Sequence, residues 1–380
     1  MKKLITLCCF LFLCGLLFAQ QPPANATALV DNVSFASGMI VGDFDNDGDQ
    51  DILTRALHNV SGNRILFENT GTDGVFQPPS FFAHEKENLP LALSDFDGDG
   101  DLDMAAGLGA GPFFYENDGN NNFLAPSPSS GELADIEDIL AADLDGDGDP
   151  DLVGRAGNSL YWSENTNGQG LFGSPSLIAG PLPWPAAAMA TADMDQNGTL
   201  DIVLCGRPNN DERPLLALFQ QSPSQWDFDI DQLTPTSLSN DVELRLADLD
   251  GDGYPDVAIY GLQDSEHQIK IFANLSGAAA FQEVYVQSGV YDFALGDIDL
   301  DGDTDIAVQL IRSAEWLRNE GGFNWTAIDI PDDEILAPDI QLADMNQDGY
   351  LDLLQFRGDL DPSHAPIGWR SSTMTSSYSG

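Results

Sequence analysis

Positive charge is scarce in this chain. Its 380 residues carry 14 Lys and Arg against 62 Asp and Glu, a formal net charge of −48. Such a surface repels nucleic acid and anionic membrane, so neither is expected as a partner. Cysteine is nearly absent, and three of the four residues (Cys8, Cys9, Cys14) lie in the first 20 positions. If that leader is removed, only Cys205 remains and no internal disulfide can form. Stability then has to come from the core and from metal. Cys205 follows an apolar run and reads as a small buried residue. Apart from Leu4–Phe18, the chain has no long apolar run that reads as a membrane span. Lys2 and Lys3 precede that run and Ala19 follows it, which is the pattern of a secretory signal over residues 1–20, too short to span a membrane with confidence. There is no Gly-x-Ser-x-Gly, no phosphate loop and no His-Glu-x-x-His.

What the chain has instead is a nine-residue acidic loop, present seven times. Its copies start at Asp43, Asp95, Asp143, Asp193, Asp248, Asp297 and Asp344, spaced 47 to 55 residues apart. Positions 1, 3, 5 and 9 are oxygen donors and position 6 is glycine. The donor sets are Asp43, Asp45, Asp47 and Asp51; Asp95, Asp97, Asp99 and Asp103; and Asp143, Asp145, Asp147 and Asp151. They continue as Asp193, Asp195, Asn197 and Asp201; Asp248, Asp250, Asp252 and Asp256; Asp297, Asp299, Asp301 and Asp305; and Asp344, Asn346, Asp348 and Asp352.

Alternating carboxylates on a curling loop suit calcium, which takes six to eight oxygens. The glycine permits the positive φ that turns the chain back on the ion. Position 7 varies (Asp49, Asp101, Asp149, Thr199, Tyr254, Asp303, Tyr350), as expected if only its backbone carbonyl binds. Without a cation, several carboxylates so close together repel one another strongly. Solvated acidic turns would explain one copy but not seven in register. Magnesium suits the loops less well, because it demands tight octahedral geometry and keeps its waters. An EF-hand is excluded, since position 12 carries no acid and the flanks read as strands rather than helices. Seven calcium ions would neutralise fourteen of the 50 net negative charges left after loss of Lys2 and Lys3, giving −36.

Short apolar runs border each loop, such as Met39-Ile40-Val41 before the first and Ile202-Val203-Leu204 after the fourth. A small residue precedes every loop (Gly42, Ser94, Ala142, Ala192, Ala247, Gly296, Ala343), as expected for a strand crowded near a central axis. Position 2 is always apolar, so it suits packing between repeats. A third, aromatic-rich strand often ends in Asn and a Gly turn, as in Leu66-Phe67-Glu68-Asn69-Thr70-Gly71, and a fourth follows. At this spacing the aromatics read as core rather than as sugar platforms. Four strands per repeat, seven times, predict an all-β fold, a seven-bladed β-propeller over residues 24–370 with the calcium loop between the first two strands of each blade. The last repeat supplies only three strands. The segment from Ala26 to Val30 is expected to pair with it and close the ring. Residues 371–380 read as a polar, disordered tail, with no second domain or linker.

The loops and the aromatic-Glu-Asn-Gly turns resemble the FG-GAP and VCBS repeats, the class found in integrin α-subunit propellers and many secreted bacterial proteins. The resemblance spans about residues 26–370. It implies a calcium-binding seven-bladed propeller with the donors given above. The chain differs from integrins in having seven loops that all look competent and no clean Phe-Gly and Gly-Ala-Pro pairs. The resemblance therefore carries fold and metal, and a partner only weakly.

The loops joining second and third strands are expected on the face opposite the calcium loops. They hold a large share of the few cations: Arg55, Arg155, Arg207, Arg213, Arg312 and Arg357, with His58, His267 and His364. Arginine forks suit carboxylate and sulfate. One expectation is a secreted or cell-surface, non-catalytic binding or adhesion module for an extracellular acidic glycan or protein surface. The alternative is a polysaccharide lyase, with Arg55, His58, Arg357 and His364 in one pocket between the last and first blades. A third is that these arginines pair with nearby carboxylates such as Asp211, Glu212, Asp359 and Asp361. Sequons occur at Asn25, Asn32, Asn59, Asn197, Asn274 and Asn324, and Asn197 is also an expected ligand.

Overall fold

A computed structural model describes residues 27–28, 36–56, 63–71, 75–77, 80–83, 91–108, 111–124, 127–128, 136–182, 186–206, 213–219, 229–236, 239–263, 266–275, 281–311, 313–330, 339–356 and 367–370. The expected signal at residues 1–20 and the tail at 371–380 lie outside them.

The described residues form seven four-stranded antiparallel sheets. Six of them are simple meanders. Sheet 1 holds β2 (Ala36–Gly42), β3 (Asp51–Ala56), β4 (Asn63–Phe67) and β5 (Ser80–Ala83). Sheet 2 holds β6 (Leu91–Ser94), β7 (Asp103–Leu108), β8 (Gly111–Tyr115) and β9 (Ser127–Pro128). Sheet 3 holds β10 (Asp138–Ala142), β11 (Asp151–Ala156), β12 (Ser159–Ser163) and β13 (Ser176–Ala179). Sheet 4 holds β14 (Ala186–Ala192), β15 (Asp201–Gly206), β16 (Arg213–Phe219) and β17 (Asp229–Thr236). Sheet 5 holds β18 (Ser239–Ala247), β19 (Asp256–Gln263), β20 (Glu266–Asn274) and β21 (Phe281–Ser288), and sheet 6 holds β22 (Val290–Gly296), β23 (Asp305–Leu310), β24 (Ala314–Asn319) and β25 (Trp325–Ile330).

Sheet 7 is built differently. It contains β26 (Ile340–Ala343), β27 (Asp352–Phe356) and β28 (Ile367–Arg370), and its fourth strand is β1 (Thr27–Ala28). Thr27 pairs with Trp369 and Ala28 with Gly368. The expected closing strand is therefore found. The fold is an all-β propeller.

Burial follows from this stacking. A second strand packed between neighbours on both faces should read as a continuous apolar run. Ile52, Leu53, Val203, Leu204, Val257, Ala258 and Ile259 are all fully buried. Apart from Phe281, the fourth strands β21 and β25 mix partly buried and exposed residues, as an edge facing water should. Position 2 of every loop is buried: Phe44, Phe96, Leu144, Met194, Leu249, Ile298 and Met345. These side chains sit between sheets as expected. Phe96 of loop 2 clusters with Ile139, Leu152 and Phe172 of repeat 3, and Met345 of loop 7 clusters with Ile52, Ile65 and Phe67 of repeat 1. Each such burial contributes roughly 2–3 kcal/mol.

Two of the small residues before the loops, Gly42 and Gly296, also face the next repeat. A Cβ on Gly42 would lie 2.5 Å from Leu102 Cδ1, and one on Gly296 would lie 2.5 Å from Leu351 Cδ1. Leu102 and Leu351 occupy position 8 of the next repeat's loop. The approach of that loop sets the size limit.

Candidate metal centres

The seven loops share one hydrogen-bond template. The position-1 carboxylate accepts from the glycine N–H at position 6, at 2.8–3.0 Å in all seven. The position-5 oxygen accepts from the N–H at position 7, at 2.8–3.0 Å in all seven. The buried position-9 carboxylate accepts from the N–H at position 2, at 2.8–3.2 Å in all seven. Position 6 has φ between 86° and 100° throughout, the left-handed turn that glycine supplies at little cost.

This folding draws the donor oxygens together. Within each set, one oxygen from each of Asp43, Asp45 and Asp51 lies within 4.8 Å of the others, and likewise for Asp143, Asp145 and Asp151, for Asp193, Asp195 and Asp201, and for Asp248, Asp250 and Asp256. In loop 2 the grouped residues are Asp95, Asp97 and Asp99. Asp43 Oδ1, Asp45 Oδ1 and Asp299 Oδ1 are buried and accept no hydrogen bond. A carboxylate oxygen removed from water needs a donor, a proton or a cation.

The carboxyls resist ionisation accordingly. Burial, reinforced by the charge of Asp47, raises Asp45 to about 6, and burial with Asp99 raises Asp97 to about 6. At position 9, burial lifts Asp51, Asp103 and Asp256 to about 7 and Asp151 and Asp305 to about 6, despite the backbone N–H groups that they accept. A divalent cation would reverse each of these shifts. The residues present thus fit a hard metal ion.

The position-7 side chains take different partners. Asp49, Asp101 and Asp149 pack against Gly71, Gly119 and Gly168, where an added Cβ would collide with the carboxylate. Thr199 Oγ1 bonds Asn197 Oδ1 at 2.5 Å. Tyr254, Asp303 and Tyr350 occupy the same position and are partly buried.

Two features escape a reading by repeat alone. The first is the asparagine that ends the third strand. Asn69, Asn117, Asn165, Asn274 and Asn319 each donate a backbone N–H to the position-9 Asp of their own loop, at 2.7–2.8 Å. Their Nδ2 atoms donate to the position-2 carbonyl of the preceding loop (Met345, Phe44, Phe96, Met194 and Leu249) at 2.5–2.8 Å. The Asn-Gly signature is visible in sequence, but the inter-sheet bond is not. The second is the residue just before that asparagine. Burial chiefly raises the position-3 acids Asp45, Asp97, Asp145 and Asp299; Glu68, Glu116 and Glu164 add a little to the first three, whereas Arg318 opposes the rise at Asp299.

The expected cationic face is only partly described. Arg155 is buried and ion-paired to Glu137, so it is held locally. Arg245, Lys270 and Arg318 pair with Glu243, Glu283 and Glu320. Only the backbone of Arg55 and Arg213 is described. His58, Arg207, Arg312, Arg357 and His364 lie outside the described residues. His267 stacks on Tyr260, whose hydroxyl lies 2.6 Å from its Nδ1. Among the described residues no helix is long and apolar enough to cross a membrane.

Comparison with known proteins agrees with this geometry. Residues 43–106, 95–154 and 143–204 match the FG-GAP-like repeat, so this part of the chain carries three FG-GAP-like repeats. No curated protein matches. Among solved structures, the chain is similar to an Agrocybe aegerita lectin described as recognising non-reducing terminal N-acetylglucosamine, at 19% identity and a TM-score of 0.59 over 78% of this chain and 80% of that one. It is also similar to the Dos1 propeller (9% identity, TM-score 0.55, 91% and 95% covered) and to the β-propeller domain of Myceliophteria thermophila Swd1 (10%, 0.52, 92% and 99%). At these identities the likeness is one of fold.

Proposed function

We propose that this is a secreted, calcium-loaded, seven-bladed propeller that acts as a non-catalytic binding module for an acidic glycan or protein surface. One observation carries the metal: the same hydrogen-bonded loop recurs seven times, it gathers carboxylates into clusters, and in loops 1 and 6 the Asp43, Asp45 and Asp299 oxygens are buried without donors. Positions 1, 3, 5 and 9 would hold the ion, with the position-7 carbonyl. Calcium bound in each loop supplies charge neutralisation and a cross-link, and the first and second strands of each sheet are fixed around it. The leader read at residues 1–20 supports export, where free calcium is abundant and disulfides are not required.

The binding reading rests on the rigid repeat scaffold and on the cations expected opposite the loops. The similar fungal lectin is described as a sugar binder, which supports a glycan as the first class to try. With Arg155 committed to Glu137, the anionic ligand would fall to Arg55, His58, Arg207, Arg213, Arg312, Arg357 and His364. The lyase alternative gains no support from the described residues. The test is affinity electrophoresis of the mature protein, calcium present, against neutral, uronate-rich and sulfated polysaccharides. Retardation by an anionic glycan that disappears in Arg55→Ala/Arg357→Ala supports the reading. Equal mobility in every gel removes the glycan and leaves the protein surface.

A further inference from the structure

The metal loops also touch one another. At position 4 the backbone is left-handed in all seven copies, and three of the seven residues there are amides: Asn46 (φ 56°), Gln196 (φ 58°) and Gln347 (φ 57°). A non-glycine residue held in this region is strained. Gly98, Gly146 and Gly251 avoid that strain at the same position. Each amide reaches the next loop. Gln347 of loop 7 donates from Nε2 to the Gly48 carbonyl of loop 1 at 2.8 Å and to Asp49 Oδ1. Gln196 of loop 4 donates to the Gly253 carbonyl of loop 5. The side chain of Asn46 in loop 1 bonds Asp101 of loop 2. A second contact ties loop 1 to the same repeat but not to its loop: Asn121, in the turn after β8, donates from Nδ2 to Asp45 Oδ2 at 3.2 Å.

The accepting atoms belong to positions 6 and 7, the turn that must be fixed for position 7 to present its carbonyl. The donating residue holds the left-handed kink between the position-3 and position-5 ligands of its own loop. Where position 4 is Gly146, no side chain crosses, and a cleft of about 250 Å³ separates loops 3 and 4, lined by Asp143, Leu144, Asp193, Thr199 and Leu200.

We propose that the position-4 amides couple neighbouring metal sites, so that loops 7, 1 and 2 load as one cooperative unit and loops 4 and 5 as a second. The inference rests on the metal reading above. Ion binding in loop 1 fixes Gly48 and Asp49. Those acceptors then hold Gln347, which pre-forms loop 7 for its own ion. Coupling of this kind is reciprocal, and one hydrogen bond made only in the loaded state is worth about 2- to 10-fold in affinity.

Tyr350 at position 7 of loop 7 gives a local readout, because tyrosine beside a bound terbium ion sensitises its luminescence. The mature chain, freed of metal and carrying Tyr254→Phe to silence loop 5, is titrated with terbium alone, and the signal of the same chain with Tyr350→Phe is subtracted, because Trp162 on Asp151 and Trp316 near Asp305 report on loops 3 and 6. Asp45→Asn disables loop 1 from a distance. It is expected to weaken the Tyr350-sensitised midpoint about 2- to 10-fold, and Gln347→Ala is expected to remove most of that shift. Gln347 is at the surface, so the variant folds, and circular dichroism checks this. Leu300 holds position 4 of loop 6 at φ 61° with an exposed apolar side chain. Leu300→Gln supplies the missing amide and is expected to tighten the loop 7 midpoint. A midpoint unmoved by Asp45→Asn, or moved equally with and without Gln347, overturns the coupling while leaving the metal sites standing. Absence of any terbium signal that depends on Tyr350 ends both.

Discussion

Asn117→Ala should destabilise the fold far more than a surface asparagine would. The side chain is fully buried, and Nδ2 donates to the Phe44 carbonyl at 2.5 Å and to the Leu102 carbonyl at 3.2 Å. Truncation deprives both carbonyls of that donor and leaves a small void. A buried acceptor without its donor costs about 1–3 kcal/mol, so the expected loss is about 3 kcal/mol. Unfolding entropy near 2.1 cal/mol/K per residue converts this to a Tm drop of about 4 °C for a chain of this length. Asn117→Asp isolates the hydrogen bonds from the packing, because it keeps the shape and replaces the donor with a carboxylate oxygen facing two carbonyls. At neutral pH it should cost at least as much as the alanine variant. The introduced carboxyl would have a raised folded pKa, so the deficit should shrink as pH falls and a proton restores one donor. Denaturant melts of the three proteins at pH 5 and 8, in saturating calcium, read this out. An Asn117→Asp variant as stable as the parent at pH 8 would refute the bridge between sheets 1 and 2.

Chelation should be the largest perturbation available. A ligand present at a hundred times its Kd adds about 2.7 kcal/mol per site, so seven loaded loops imply a Tm drop on the order of 20 °C in a chelator. An unchanged melting curve would sink the metal reading. Asp292 is buried beside Glu243, Asp339 and the Arg245 guanidinium, while its Oδ2 accepts the Ile340 N–H at 2.7 Å. Burial, with the charge of Glu243 next, raises its carboxyl to about 10. The folded state therefore holds this proton more tightly than the unfolded chain, and stability is lost as pH climbs from about 4 towards 10. Oδ1 accepts the Phe293 N–H at 2.8 Å, so Asp292→Asn keeps one of two acceptors, at a cost that does not vary with pH, and removes the titration. Its stability relative to the parent should rise steadily between pH 5 and 9, and a constant gap would refute this. Cys205 is fully buried, so a thiol reagent should label it only after unfolding. Rapid labelling of the native protein would contradict its position in β15.

Much of this fold is written plainly. The repeated loop states the period, the apolar runs on either side state the strands, and the missing strand of the last repeat points to Thr27–Ala28. The candidate donors are legible because a hard cation would demand one residue type at fixed spacing. Less is legible where one residue answers to a neighbour in space. Gly42 faces Leu102 of the next repeat, and no spacing within its own repeat shows that contact. Asn117 looks like a turn residue until its amide is seen on Phe44. Position 4 reads as variable, since Asn, Gln, Gly and Leu all occur there, yet all seven hold one left-handed conformation. Arg155 shows the local pairing that is one reading of these arginines, but its partner, Glu137, stands just before the neighbouring strand and is not marked by spacing. These misses share a cause: the period describes one sheet, whereas the contacts lie between two.

The pairing of β1 with β28 makes the first strand laid down the last one used. Thr27 and Ala28 have no sheet to join until Trp369 and Gly368 exist, so during synthesis the earliest segment must wait while the other sheets form behind it. Contacts this far apart in sequence are slow to find, and a two-residue pairing offers little to hold them once found. The seam between sheets 7 and 1 is therefore where an incompletely made chain stays open. The links across it, from Asn69 to Met345 and from Gln347 to Gly48, act as the latch that tells a finished ring from an unfinished one.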